Sequence, residues 1–171
     1  DYANNHNFDY AISIDADGQH FASDLPLFLE TIDNNYGAMV VGSRFLKQDN
    51  MPAGNTFANK FSNFWFTIQT GKNLPDTQTG YRAYPIFKMG KLRSFSKRYE
   101  SELEYLQRMA WRNIKLISIP IKVYYAPVGE RVTHFRKGRD FIRISILNTL
   151  MCFVAILYGY PSMFLRKLLG K

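Results

Sequence analysis

Asp9-Tyr10-Ala11-Ile12-Ser13-Ile14-Asp15-Ala16-Asp17-Gly18-Gln19-His20 runs from apolar residues straight into a pair of acids. Its apolar, β-branched run predicts a buried strand that stops abruptly at two acids one residue apart. Side chains alternate faces along a strand, so Asp15 and Asp17 are expected together just beyond its carboxyl end, with Gln19 in the same parity. Two carboxylates and an amide oxygen placed so suit a hard cation such as Mg²⁺ or Mn²⁺, which takes oxygen ligands and leaves room for phosphate oxygens. Gly18 lets the backbone turn close to a ligand. Open α/β sheets bind ligands at the carboxyl ends of their strands, so an α/β fold is expected. The same residues also make an ordinary solvated acidic turn.

Working outward, Ser23 or Asp24 can cap a helix with Pro26 in its first turn and Leu25, Phe28, Leu29 and Ile32 on one core-facing side. Ala38-Met39-Val40-Val41-Gly42 predicts a second buried strand, which brings Ser43-Arg44 to the same rim as Asp15. Arginine there suits two-pronged phosphate recognition, and a plain surface role fits equally. Phe57, Phe61, Phe64, Trp65 and Ile68 recur at helical spacing, a pattern expected to pack against the core. The turn-rich stretch from Asn73 to Tyr84, with Asp76, Gly80 and Arg82, leads into a short strand and could line a sugar or phosphate pocket or be a hydrogen-bonded turn. Within Ser96–Arg112 a helix is expected, with Leu103, Leu106 and Ala110 inward and Glu100, Glu102 and Glu104 near its start, where acids favour the helix dipole. Leu116 to Tyr125 alternates as a strand, and Pro120 marks an edge or bulge.

The 171 residues are 46% hydrophobic and 16% aromatic, which excludes disorder and allows one domain with a core. Cys152 is the single cysteine, so no internal disulfide forms. Charge is divided: residues 1–80 carry nine acids against four Lys/Arg, residues 81–171 five against eighteen. The second half suits an anionic partner, a phosphate-bearing lipid surface or nucleic acid, or is a solvated basic face.

Past residue 137 the chain changes character. A basic run including Arg131, Arg136, Lys137 and Arg143 precedes an apolar segment, Ile144 to Leu157, which Tyr158-Gly159-Tyr160-Pro161 is expected to interrupt. That segment falls short of the roughly 20 residues a bilayer span needs. An amphipathic helical tail lying in the membrane interface is expected for residues 138–171, with a homo-oligomer contact or a cover for the domain as the other uses of its apolar face.

Taken together, Ile14-Asp15-Ala16-Asp17-Gly18-Gln19-His20, Val41-Gly42-Ser43-Arg44, Asp76-Thr77-Gln78-Thr79-Gly80-Tyr81-Arg82-Ala83, Arg98-Tyr99-Glu100-Ser101-Glu102-Leu103-Glu104 and the stretch from Ile119 to Val132 resemble, in order and spacing, the family 2 glycosyltransferases, in their dolichol-phosphate mannosyltransferase-like branch. The resemblance implies a GT-A fold, a mixed Rossmann-like sheet flanked by helices. It also implies a nucleotide-sugar donor and inversion at the anomeric carbon. It assigns Asp15, Asp17 and Gln19 to the metal and donor diphosphate. Arg44 would face the phosphate of donor or acceptor, and Arg131 would lie on a loop closing over the phosphates. Glu102 or Glu104 would supply a catalytic base, Glu102 being preferred, while Asp76, Gly80 and Arg82 would shape the acceptor side. The acceptor implied is a polyprenyl phosphate or another cell-envelope glycan or lipid, at the inner face of the cell membrane, with no nucleic acid partner. A hydroxyl acceptor needs a base within reach; a lipid phosphate, already anionic near neutral pH, does not.

The family opens with a strand-turn-strand unit that holds the nucleotide base, and the chain begins just before the D-x-D strand. Residues 1–137 are therefore expected to correspond to the C-terminal part of such a domain, and a catalytically incomplete piece acting as a membrane- or partner-binding module is the alternative. Thr133-His134-Phe135-Arg136 stands where the lipid-phosphate enzymes often have a serine-lysine pair. An apolar strand with D-x-D-G also opens the haloacid-dehalogenase phosphatases, but Gln19 follows Gly18 here and no second acidic pair completes that site.

Overall fold

The computed structural model describes residues 2–44, 53–90, 99–125 and 137–170. Four strands form one mixed sheet in the order β1-β3-β2-β4: β1 is Tyr10–Ser13, β2 Met39–Ser43, β3 Arg82–Pro85 and β4 Leu116–Pro120. β3 runs antiparallel to both β1 and β2, and β2 runs parallel to β4. The carboxyl ends of β1, β2 and β4 thus meet the amino end of β3 at one rim. β2 is buried along its whole length, as its unbroken apolar run requires. Pro120 closes edge strand β4, where a missing donor is tolerated.

Helices flank the sheet: α1 Tyr2–Asn5, α2 Leu25–Asn34, α3 Ala53–Thr70, α4 Ile86–Met89 and α5 Tyr99–Trp111. One core joins Phe28 and Ile32 of α2 to Val40, Tyr81, Ala83 and Ile119; the other joins Met39 and Val41 to Phe66 of α3 and Leu106, Met109 and Ala110 of α5. In α2, Leu25 and Leu29 stay exposed. Asp24 precedes the helix without a side-chain cap bond; its Oδ2 accepts the Lys122 backbone N–H at 2.7 Å, tying α2 to the chain after β4.

α3 departs from expectation. Phe57, Phe64 and Ile68 face outward, while Asn59, Ser62, Gln69 and Thr70 are buried alongside Phe66. The reason lies in the partner: the inner face meets polar backbone at residues 75–77. Asn59 and Asn63 Nδ2 each donate to Pro75 O at 2.9 Å, and Thr77 Oγ1 donates to Asn63 Oδ1 at 2.8 Å while sharing a 2.8 Å hydroxyl–hydroxyl bond with Ser62 Oγ.

The tail also differs. Tyr158 to Pro161 does not interrupt it: α6 Lys137–Val154 continues through a π-turn, Ala155–Gly159, into α7 Tyr160–Leu168. Pro161 lies in the first turn of α7, where a missing N–H is tolerated. Ile144–Leu168 is thereby one helix of 25 residues, long and apolar enough by length and composition to cross a membrane, and 22% of an 18-residue apolar window within it is buried inside the molecule. It packs on α3 and α5. Trp111 sits with Met151 and Ala155, and its indole ring lies against Gly159, where any side chain would collide. Gln107 Nε2 donates to Gln69 Oε1, Gln69 Nε2 to Asn148 O at 3.0 Å, and Trp111 Nε1 to Gln69 O at 2.8 Å. Cys152 is partly buried there, its Sγ 3.7 Å from Gln69 Nε2.

Candidate active site at the sheet rim

β1 ends at Ser13, two residues before the first acid, because Ser13 Oγ donates to Gly80 O at 2.7 Å and the chain then turns out of the sheet. A cavity of about 260 Å³ opens there, lined by Ser13, Asp15, Gly80, Tyr84, Ile86, Met89, Ser101, Glu102 and Tyr105. The parity of β1 carries as far as Asp15. Beyond it Gly18 takes φ 77°, and Asp17 Oδ1 accepts the Gln19 N–H at 3.0 Å, so Asp17 and Gln19 lie exposed outside the lining.

Asp15 rests on Gly80, where a methyl group would overlap its carboxylate. His20 Nε2 is 3.5 Å from Asp15 Oδ2, with the imidazole almost wholly buried beside Tyr81. The His20 ring, with Arg82 and Arg44 further off, holds the Asp15 carboxyl below the ordinary carboxylate range against the opposing effect of burial. Glu102 faces the same cavity under the opposite balance. Burial pushes its carboxyl up, the Arg82 charge pulls down, and Asp15 adds to the rise. The two acids of one cavity are thus shifted in opposite directions, Asp15 down and Glu102 up.

Glu104, two residues along α5, lies elsewhere: it is buried and bonded to Arg108 Nη2 at 2.7 Å. Arg44 grips Asp76 with two prongs, Nε to Oδ2 at 2.7 Å and Nη2 to Oδ1 at 3.0 Å, and its backbone N–H reaches the same carboxylate at 3.2 Å. Burial works against the Arg44 charge and Asp76 outweighs it, leaving the guanidinium pKa raised. Asp76 and Arg82 are wholly buried. Arg82 donates to the carbonyls of Thr79 (2.7 Å), Thr77 (2.9 Å) and Glu102 (2.8 Å), so it braces the 77–79 turn against α5. Arg131 lies outside the described residues. Among the described residues no group of three or more His, Cys, Asp and Glu converges as a metal cage.

His20 is the residue the sequence reading passed over. Its position at the end of the D-x-D stretch was its signal in the sequence; the fold adds a bridge from His20 to Val123, beyond β4. Tyr84, Ser101 and Tyr105 carried no such signal, since only the folded sheet and α5 bring them to the cavity.

Asp15 and Glu102 therefore face one cavity at the sheet rim with their carboxyl groups shifted in opposite senses. The chain is similar to two glycosyltransferases. One is a UDP-N-acetylglucosamine–dolichyl-phosphate N-acetylglucosaminyltransferase of Methanococcus voltae, 31% identical over 147 residues, covering 82% of this chain and 59% of that protein. The other is an undecaprenyl-phosphate mannosyltransferase of Micrococcus luteus, 29% identical over 132 residues, covering 72% and 52%. An uncharacterized protein of Methanocaldococcus jannaschii is 30% identical over 119 residues, covering 67% and 49%. The chain spans about half the length of these relatives. No protein-family model matches it.

Proposed function

We propose that this chain forms part of an inverting family 2 glycosyltransferase of GT-A type that moves a sugar from a nucleotide-sugar donor to a polyprenyl phosphate at a membrane surface. The observation that carries the proposal is the similarity to two transferases named for polyprenyl-phosphate acceptors; a cavity lined by Asp15 and Glu102 is consistent with it.

Asp15 and Asp17 would hold a divalent ion, Mg²⁺ or Mn²⁺. The fit rests on Asp15, half-exposed in the cavity lining, while Asp17, two residues on, is exposed outside that lining and would have to turn inward to share the ion. With no protein cage, this donor set suits an ion held through one or two carboxylates whose shell is completed by substrate oxygens. When bound, such an ion offsets negative charge on a departing diphosphate. The chain's own residues do the rest. His20 and Gly80 fix the Asp15 carboxylate, and Asp76 fixes Arg44 near the same rim. Arg82 holds the backbone of Glu102, so the Glu102 carboxyl faces the reacting space. A lipid-phosphate oxygen is already anionic near neutral pH and needs no proton removed, so Glu102 has no obligatory role as base with that acceptor. The exposed apolar side of the C-terminal helix, including Ile146, Leu150 and Phe153, would seat the chain at the lipid.

The test uses the complete protein with UDP-N-acetylglucosamine or a nucleoside-diphosphate mannose. Mn²⁺-dependent donor binding is expected in the wild type and lost in Asp17→Ala. Unchanged affinity in that variant counts decisively against the assignment.

A further inference from the structure

A second groove, of about 470 Å³, runs along the C-terminal helix and shares no lining residue with the cavity at the sheet rim. Its walls are Leu157, Tyr158, Leu165 and Leu169, and at one side stand Ser162 and Arg166. Arg166 is partly buried and donates from Nε to Ser162 Oγ at 3.4 Å, so its guanidinium is aimed rather than free to sweep the surface.

A second cation lies behind it. The end of α5 is tied to α7 by Asn113 Nδ2, which donates to Met163 O at 3.1 Å. This brings up Arg112, anchored through Nη1 on the carbonyls of Lys88 (3.2 Å) and Met89. Burial chiefly, and then the charges of Arg166 and Arg108, lower the Arg112 pKa against the influence of Tyr158. Arg108 has Glu104 as its partner. Among the described residues no carboxylate pairs with Arg112 or Arg166. Arg166 thus stands in the groove lining and Arg112 on the helix end tied to α7, neither with a carboxylate partner among the described residues, beside a row of leucines.

We propose that this groove binds one anionic phospholipid of the membrane, its phosphate on Arg166 with Arg112 behind, and an acyl chain along Leu157, Leu165 and Leu169. Charge and shape together choose the occupant. Inorganic phosphate would leave the leucine walls uncovered, and an acidic peptide would lay unpaired backbone amides against them. The helix that carries the groove also has the length and composition of a lipid-facing element. The inference rests on the seating of that helix at the membrane proposed above, and it adds a discrete site to a general attraction.

The full chain in a neutral detergent is titrated with short-chain phosphatidylglycerol, short-chain phosphatidylcholine and inorganic phosphate, with stoichiometry read by native mass spectrometry. One equivalent of phosphatidylglycerol is expected, with much weaker binding of the choline lipid and of phosphate. Arg166→Gln is expected to weaken it by about tenfold or more, as loss of a charge-assisted contact requires. Lys60→Gln removes the same charge from exposed α3 and is expected to change Kd by less than about twofold, both variants keeping wild-type circular dichroism. Equal losses in the two variants, or equal binding of phosphatidylcholine or of phosphate, overturn the site. Flotation of the wild type on phosphatidylcholine–phosphatidylglycerol vesicles separates the two levels. A chain that floats without a stoichiometric lipid loses the site and keeps the seat; a chain that does not float loses both.

Discussion

At Gly80 bare backbone forms the floor under a carboxylate. A methyl group there would overlap both oxygens of Asp15, so Gly80→Ala is expected to cut Mn²⁺-dependent donor binding by about tenfold or more, with far-UV circular dichroism unchanged. Glu102 gives the acceptor's signature. If the acceptor is a lipid phosphate, Glu102→Gln leaves turnover within about tenfold; a loss of about 10²–10⁴ would mark a hydroxyl acceptor that needs a base. The same group sets a pH dependence of stability. Its folded pKa is raised, chiefly by burial, so its favourable contribution is complete below the ordinary glutamate value of about 4.3 and is lost as pH rises through the folded value. The thermal midpoint of Glu102→Gln should therefore gain on the wild type as pH rises from about 4 to about 7. Asp15 works in the other sense. Its pKa is lowered, first by His20, so its contribution is present above the ordinary aspartate value and lost as pH falls through the folded one. In His20→Asn the Asp15 titration, followed by carboxyl NMR shifts, should move up. Asp15 was legible in the sequence because strand parity extends one step past the strand. The placing of Asp17 was not, since an Asx turn at Gly18 breaks that parity. Glu102 and Glu104 could not be told apart from sequence, because the docking of α5, not its periodicity, decides which acid meets the cavity.

Helices behave differently from strands in this chain. All four strands lie where strands were expected, but only β2 is buried throughout: β1, expected to be buried, is a partly exposed edge strand, and β4 ends at Pro120, short of the expected Tyr125. α3 was not legible, because its inner face is matched to the backbone carbonyl of Pro75 and to Thr77 rather than to apolar side chains. The tail was misread at Pro161, which looks like a breaker in the sequence but falls at the start of α7. Gln69 is the hinge of these contacts. Gln69→Leu removes the partner of Gln107 and Asn148 and leaves buried amides unpaired, so a loss of about 1–3 kcal/mol is expected in denaturant titration. Arg82 is the corresponding part at the rim: Arg82→Lys cannot reach three carbonyls with a planar fork.

For the whole molecule, the division of charge matters more than its total. Acids gather in the first half of the chain and Lys/Arg in the second, so attraction to an anionic surface would act through side chains of the second half. Flotation on anionic vesicles should weaken between about 0.1 M and about 1 M salt, as the screening length shrinks from about 10 Å to about 3 Å. Residual flotation at the upper limit measures the apolar part. The C-terminal helix is fastened to the body through Asn148 and Gln69, with Trp111 beneath Gly159. Sliding that helix by one residue would part Asn148 from Gln69 and drive a side chain into the indole. It therefore has a single register. A tug on it, from a bilayer that thickens or bends, would be delivered as strain to Gln107 and Trp111, on the helix that bears Glu102, and not dissipated by slippage.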